Sequence, residues 1–131
     1  MMSERDWTHT NHWWLRGDRF LIEVATFPGD QIGPNRWNVY AYIYPGHSWL
    51  EEFHGGRIWQ PATTALPLHN GPSYLKYHHD EYGDLRSIQV GSDYGHDSDG
   101  RFGHASTPED AWEVFRDAEE LYDFLDSESK R

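Results

Sequence analysis

Arg36–Tyr44 reads R-W-N-V-Y-A-Y-I-Y. Its side chains divide by alternation. Trp37, Val39, Ala41 and Ile43 fall on one side, and Asn38, Tyr40, Tyr42 and Tyr44 on the other. β-Branched and aromatic residues with this period predict a strand whose apolar face meets a core. The opposite face of tyrosines is either half-buried or lines a site, because each ring packs while its hydroxyl needs a partner.

The flanking text supports a sheet. Arg19–Thr26 (R-F-L-I-E-V-A-T) places Phe20, Ile22 and Val24 opposite Leu21, Glu23 and Ala25, again a strand. Residues 27–35 (F-P-G-D-Q-I-G-P-N) are a connecting loop. Pro45-Gly46 ends the tyrosine strand, and His47–Phe53 reads as one short helical turn. Residues 60–73 hold three prolines and read as loop, with room for a short strand. Tyr74–Tyr77 and Asp84–Val90 are two more strands, although Leu85, Ile88 and Val90 do not alternate cleanly. Gly91–Gly103 reads as an acidic, turn-rich loop, and residues 1–14 as a partly ordered arm docking through Trp13 or Trp14.

The C-terminus predicts a long helix over 107–126. Thr107 suits the N-cap, Pro108 the first helical position, and Asp110 pairs with Thr107 as in a capping box. Apolar residues at 111, 112, 115, 118, 121, 122 and 125 share one face, opposite Glu113, Asp117, Glu120 and Asp123. Trp37 and Trp112 read as core. The architecture expected is α+β: one domain over 1–131, a small antiparallel sheet packed against one long C-terminal helix.

Composition narrows the chemistry. The chain has 131 residues and a net charge of −11, with 9 acidic and 3 basic side chains in residues 109–131 alone. Such a surface repels phosphate backbones, so direct DNA or RNA binding is not expected. The aromatic content of 16% argues for a packed fold. No cysteine is present, which removes disulfides, thiolate metal sites and a thiol nucleophile. No apolar run reaches the ~20 residues of a membrane span, and the first residues lack a signal peptide's apolar stretch, so a soluble, cytoplasmic chain is expected.

Two segments join functional side chains to glycines. One is His47–Gly56 (H-S-W-L-E-E-F-H-G-G), the other Gly91–Asp99 (G-S-D-Y-G-H-D-S-D). His54, Asp93, His96 and Asp99 offer imidazole and carboxylate ligands to a divalent metal, without reproducing a standard zinc spacing. His96 between Asp93 and Asp97 suits acid–base work. The twelfth-position Glu of a calcium loop is missing, as are G-x-S-x-G and G-K-[ST]. A metal-free pocket is the other option: Tyr40 or Tyr42 stacks a planar ring, His47, His54, Asp93, His96 and Asp99 supply polar contacts, and Gly55 and Gly56 allow close backbone approach. Arg57, Arg86 and Arg101 stand near enough in sequence to neutralise an anion.

The same motifs resemble a group of small proteins encoded by tailed bacteriophages. Their pattern is an aromatic strand, P-x-G-H-P, H-G-G, G-x-D-x-x-H-x-G-D and a charged C-terminal helix. It is matched here over about residues 36–125 by Tyr44–His47, His54–Gly56, Gly91–Asp99 and the helix from Thr107. Ser48 replaces a Pro, Ser98 a Gly, and Tyr94 stands where Cys is frequent. The resemblance implies a phage accessory protein acting in the host bacterial cytoplasm, a class whose members often modulate host functions or block host defences; it brings no established activity with it.

Three functions follow as expectations. The leading one is a binding module for a small polar or nucleotide-like ligand, with no cofactor. The second is a metal-dependent hydrolase built on His54, Asp93, His96 and Asp99. The third is an acidic inhibitor docking on a host defence protein. Ligand identity and oligomeric state stay open.

Overall fold

The computed structural model describes residues 5–28, 35–94, 102 and 104–129. Among these described residues six strands form one antiparallel sheet: β1 (Thr8–His9), β2 (Trp13–Gly17), β3 (Phe20–Pro28), β4 (Asn35–Ile43), β5 (Tyr74–His79) and β6 (Leu85–Asp93). Their order is β1-β2-β3-β4-β6-β5. After β4 the chain passes a 3-10 turn (Ser48–Glu52) and a one-turn helix α1 (Pro61–Thr64), reaches the edge as β5, and returns beside β4 as β6. The long helix α2 (Trp112–Ser129) lies across β2, β3 and β4. None of the described helices is long and apolar enough to cross a membrane.

Alternation sends Leu15, Phe20, Ile22, Val24, Trp37, Val39, Ala41, Ile43, Ile88 and Val90 to the helix side, where all are buried. Val114, Phe115, Ala118, Leu121 and Leu125 of α2 meet them. Trp37 is fully buried, stacks on Trp13 at 5.6 Å and meets Phe115 edge-on at 6.0 Å. Its indole N–H donates to the Ala105 carbonyl at 3.0 Å, so the ring is buried with its one donor satisfied.

Several expectations change. The segment read as an N-terminal arm is sheet from residue 8: β1 pairs with β2, and Trp13 docks in the core. Arg5 forks onto Asp123 at 2.8 and 3.1 Å, and the Trp7 indole donates to Glu119 at 2.9 Å, which ties this edge to α2. Residues 91–93, read as loop, continue β6, and α1 stands in the stretch read as loop or strand. The irregular alternation in β6 has a cause. A bulge opposite His78 and His79 pairs Leu85 with His79 but Ser87 with His78, so Leu85 rejoins the core side out of phase.

The helix starts and ends later than 107–126. The Thr107 hydroxyl accepts from the Asp110 N–H at 3.2 Å, and Ala111 N–H bonds to the Thr107 carbonyl at 3.0 Å, so Thr107 does cap a turn. That turn tightens, with Val114 N–H on the Ala111 carbonyl at 2.9 Å, and the regular helix runs from Trp112 to Ser129. Trp112 is not core: it is 45% exposed beneath the Arg116 guanidinium, because Val114 and Phe115 take the inward positions.

Candidate functional site

α1, α2 and the 3-10 turn all pack on the core side of the sheet. The other face is built from the alternate residues of every strand, and register aligns them in rows. One row runs Thr8–Trp14–Glu23–Tyr40–Gly91–Tyr74. The next runs Arg16–Leu21–Tyr42–Gln89–Lys76. The predicted face of Tyr40 and Tyr42 is therefore the middle of an open, aromatic and polar surface.

A buried acid lies at its centre. Glu23 is only 4% exposed, which is costly for a carboxylate unless it is paired. His12 Nδ1 approaches one oxygen at 2.6 Å and the Tyr42 hydroxyl donates to the other at 3.0 Å. Burial pushes the Tyr42 hydroxyl well up from its ordinary pKa, and the Glu23 charge adds to the shift. His78 lies over Tyr42 at 6.2 Å between ring centres, and its Nε2 is 2.7 Å from Gln89 Oε1.

Beside this network Asn38 donates to the Tyr40 hydroxyl at 2.7 Å, while its own carbonyl oxygen is buried with no partner among the described residues. Burial again raises the Tyr40 pKa, and the Asn38 bond offsets part of that. Tyr40 and Tyr74 meet edge-on at 5.3 Å above Gly91. A Cβ on Gly91 would stand 2.2 Å from the Val39 carbonyl oxygen and 2.6 Å from the Tyr40 ring, so the absence of a side chain is what lets Tyr40 lie there.

Toward β1 and β2 the face hollows into a cavity of about 390 Å³ lined by Asp6, Thr8, Thr10, Trp14, Arg16 and Leu21. The Trp14 indole N–H donates to the Thr10 hydroxyl at 3.1 Å, which fixes the ring. Among the described residues neither the Arg16 guanidinium nor the Asp6 carboxylate is committed to a hydrogen bond or ion pair. The cavity thus combines an indole and a leucine with one available cation and one available anion.

The other predicted residues separate. Asp93 ends β6 opposite Asn38, on the same face as Tyr40 and Tyr42. His47 is on the core side, 2% exposed: its Nε2 donates to the Leu125 carbonyl at 2.9 Å and its Nδ1 accepts from Trp49 N–H at 3.0 Å. It caps the 3-10 turn and fastens it to α2. His54, Gly55 and Gly56 are exposed in a loop tied to the core-side face of β5, where the Tyr77 hydroxyl donates to the Gly55 carbonyl at 2.7 Å. Gln60 holds the same loop through His54 N–H and the Arg57 carbonyl, both at 2.7 Å. Gly55 has φ +71, a conformation glycine adopts freely; Gly56 needs no such allowance.

The tyrosines and the H-G-G loop therefore stand on opposite sides of the sheet and do not enclose one pocket. His96 and Asp99 lie outside the described residues, as do Asp97 and Arg101. Among the described residues no three histidines or carboxylates group so as to hold a metal ion. Of the helix carboxylates read as an outer face, Asp123 holds Arg5 and Asp117 accepts from the buried Tyr94 hydroxyl.

His12, Trp14, Arg16, Glu23 and Gln89 were not singled out from the sequence. A glutamate at an alternating position within R-F-L-I-E-V-A-T was the visible signal, since a charge inside a strand asks for a partner. No protein-family model, curated protein or solved structure matches the chain.

Proposed function

We propose that this chain is a small-ligand binding module, with its site on the open sheet face around Trp14 and Arg16. The ligand is nucleotide-like: a planar polar ring joined to an anionic group. One observation carries the reading, the cavity of about 390 Å³ whose lining joins the Trp14 indole to a guanidinium, Arg16, and a carboxylate, Asp6, that are uncommitted among the described residues. An indole face stacks planar rings, a guanidinium forks onto phosphate, and a carboxylate accepts ring N–H groups. A net charge of −11 opposes a long polyanion, but one phosphate beside Arg16 meets the local cation first.

The resemblance to tailed-phage proteins supplies the setting. The module would act in the host bacterial cytoplasm and counter host defence by holding a signalling nucleotide. Docking of a defence protein on the acidic helix is the weaker reading, because Asp117 and Asp123 already serve Tyr94 and Arg5. No divalent metal or other cofactor enters the proposal.

Thermal unfolding against a panel of mono- and dinucleotides tests it. A ligand at a hundredfold over its Kd stabilises by roughly 2.7 kcal/mol. The gain should vanish in Trp14→Ala and in Arg16→Ala. A gain that survives both substitutions, or none across the panel, overturns the reading.

A further inference from the structure

We propose that the chain forms a two-fold dimer by pairing β5 with the β5 of a second copy, an association that stands apart from the ligand reading above. β5 closes one end of the sheet, and among the described residues no strand lies beyond it. Its outward N–H and C=O groups are therefore open to a further strand. Edge strands are commonly guarded by charge, proline or a bulge. β5 carries only Lys76 and the irregularity at His78 and His79, which leaves Tyr74–Tyr77 in regular pairing with β6. An antiparallel strand turned about a two-fold axis is its own complement, so a second β5 fits this edge without any other sequence.

Charge selects this end of the molecule for self-association. From Phe53 to His79 the sequence holds no aspartate or glutamate, and all 22 acids lie outside that segment. It contributes Arg57, Lys76 and four histidines, and it builds both β5 and the loop beside it. With a net charge of −11 on each copy, contact through α2 sets carboxylate against carboxylate, whereas contact through β5 does not. The same end carries exposed apolar side chains: Ile58 is 37% exposed and Trp59 60%. They are fixed in place. The Trp59 ring lies so close on Gly71, three residues before β5, that a Cβ there would stand 2.5 Å from it. Thr63 Oγ1 donates to the Ile58 carbonyl, and Tyr77 of β5 ties the loop through the Gly55 carbonyl. A tryptophan already ordered beside an open edge suits an interface anchor, because little freedom is lost when a partner covers it.

Sedimentation velocity of the full chain over a concentration series reads the equilibrium. A monomer–dimer isotherm is expected with no larger species, because a two-fold contact closes on itself. Trp59→Asp places an acid in the contact from an exposed position and should raise the dimer Kd roughly thirtyfold or more, the loss expected of a hot-spot residue. Lys76→Glu, also exposed, should weaken the dimer too. Amide hydrogen exchange of the wild type needs no variant: protection along Tyr74–His79 should grow with protein concentration, while that of Thr8–His9 at the other edge stays constant. Added salt should tighten the dimer by screening the repulsion between two copies of charge −11. A monomer at every concentration, a dimer unmoved by both substitutions, or concentration-dependent protection on α2 or β1 in place of β5 each overturn this dimer. A dimer that salt weakens also overturns it, since that result means the acid-free end is meeting acidic side chains.

Discussion

The two faces of the sheet come from the same strands and solve opposite problems. On the core side, Trp37, Phe20, Ile22 and Ile43 are sealed by α2, and the stabilisation is removal of apolar area from water. On the open side, Glu23 and Gln89 are nearly as buried, yet Glu23 is held by His12 from the β1–β2 turn and Tyr42 from β4, and Gln89 by His78 from β5. A fold that needed only stability would place apolar side chains there, because a buried charge rarely stabilises more than a well-packed hydrophobe. The difference gives folding to one face and, on the function proposed above, leaves the other for recognition.

Substitutions should separate the two roles. Trp37→Ala removes the largest core side chain and its bond to Ala105, and should cost about 3–5 kcal/mol in denaturant unfolding. A much smaller loss would mean that the core side is not the folding side.

Tyr42→Phe deletes one of the two donors to Glu23 and should cost roughly 1.5–3 kcal/mol, the range for hydrogen bonds to charged groups. The same variant tests the pH profile. Tyr42 has a raised pKa in the fold, so its contribution is complete below about 10, the unfolded tyrosine value, and is lost as pH climbs above it. Stability of the wild type should therefore fall beyond that pH, and the fall should be shallower in Tyr42→Phe. Equal slopes would contradict the burial of the hydroxyl against Glu23.

Thr107→Ala, away from both faces, should cost about 1 kcal/mol by removing the hydroxyl that accepts from Asp110. Equilibrium melts that do not change would show that the turn before α2 is not held by its cap.

The sequence revealed the elements whose pattern is local. β3 and β4 follow from strict alternation, and α2 from its apolar stripe, although Trp112 sits at the margin of that stripe and proved exposed. Consecutive Trp13 and Trp14 concealed β2, since two neighbouring indoles erase the alternation that would mark a strand. In β6 the bulge did the same. For the site, alternation placed Tyr40 and Tyr42 on one face, but their neighbours come from pairing across the sheet. Nothing local to His12 shows that it meets Glu23, or that Trp14 and Tyr40 flank the same residue. The H-G-G loop drew attention through its glycines, yet it is held by Gln60 and Tyr77 on the core side.

The most direct test of the division between faces is amide and indole chemical-shift mapping while a nucleoside monophosphate is titrated into the ¹⁵N-labelled protein. Perturbations are expected at the Trp14 indole and along residues 6–16, extending to Leu21, Glu23, Tyr40 and Tyr42, with the Trp37 indole unmoved. Shifts confined to His54–Gly56, or to the acidic side of α2, would place the working surface elsewhere and contradict that division.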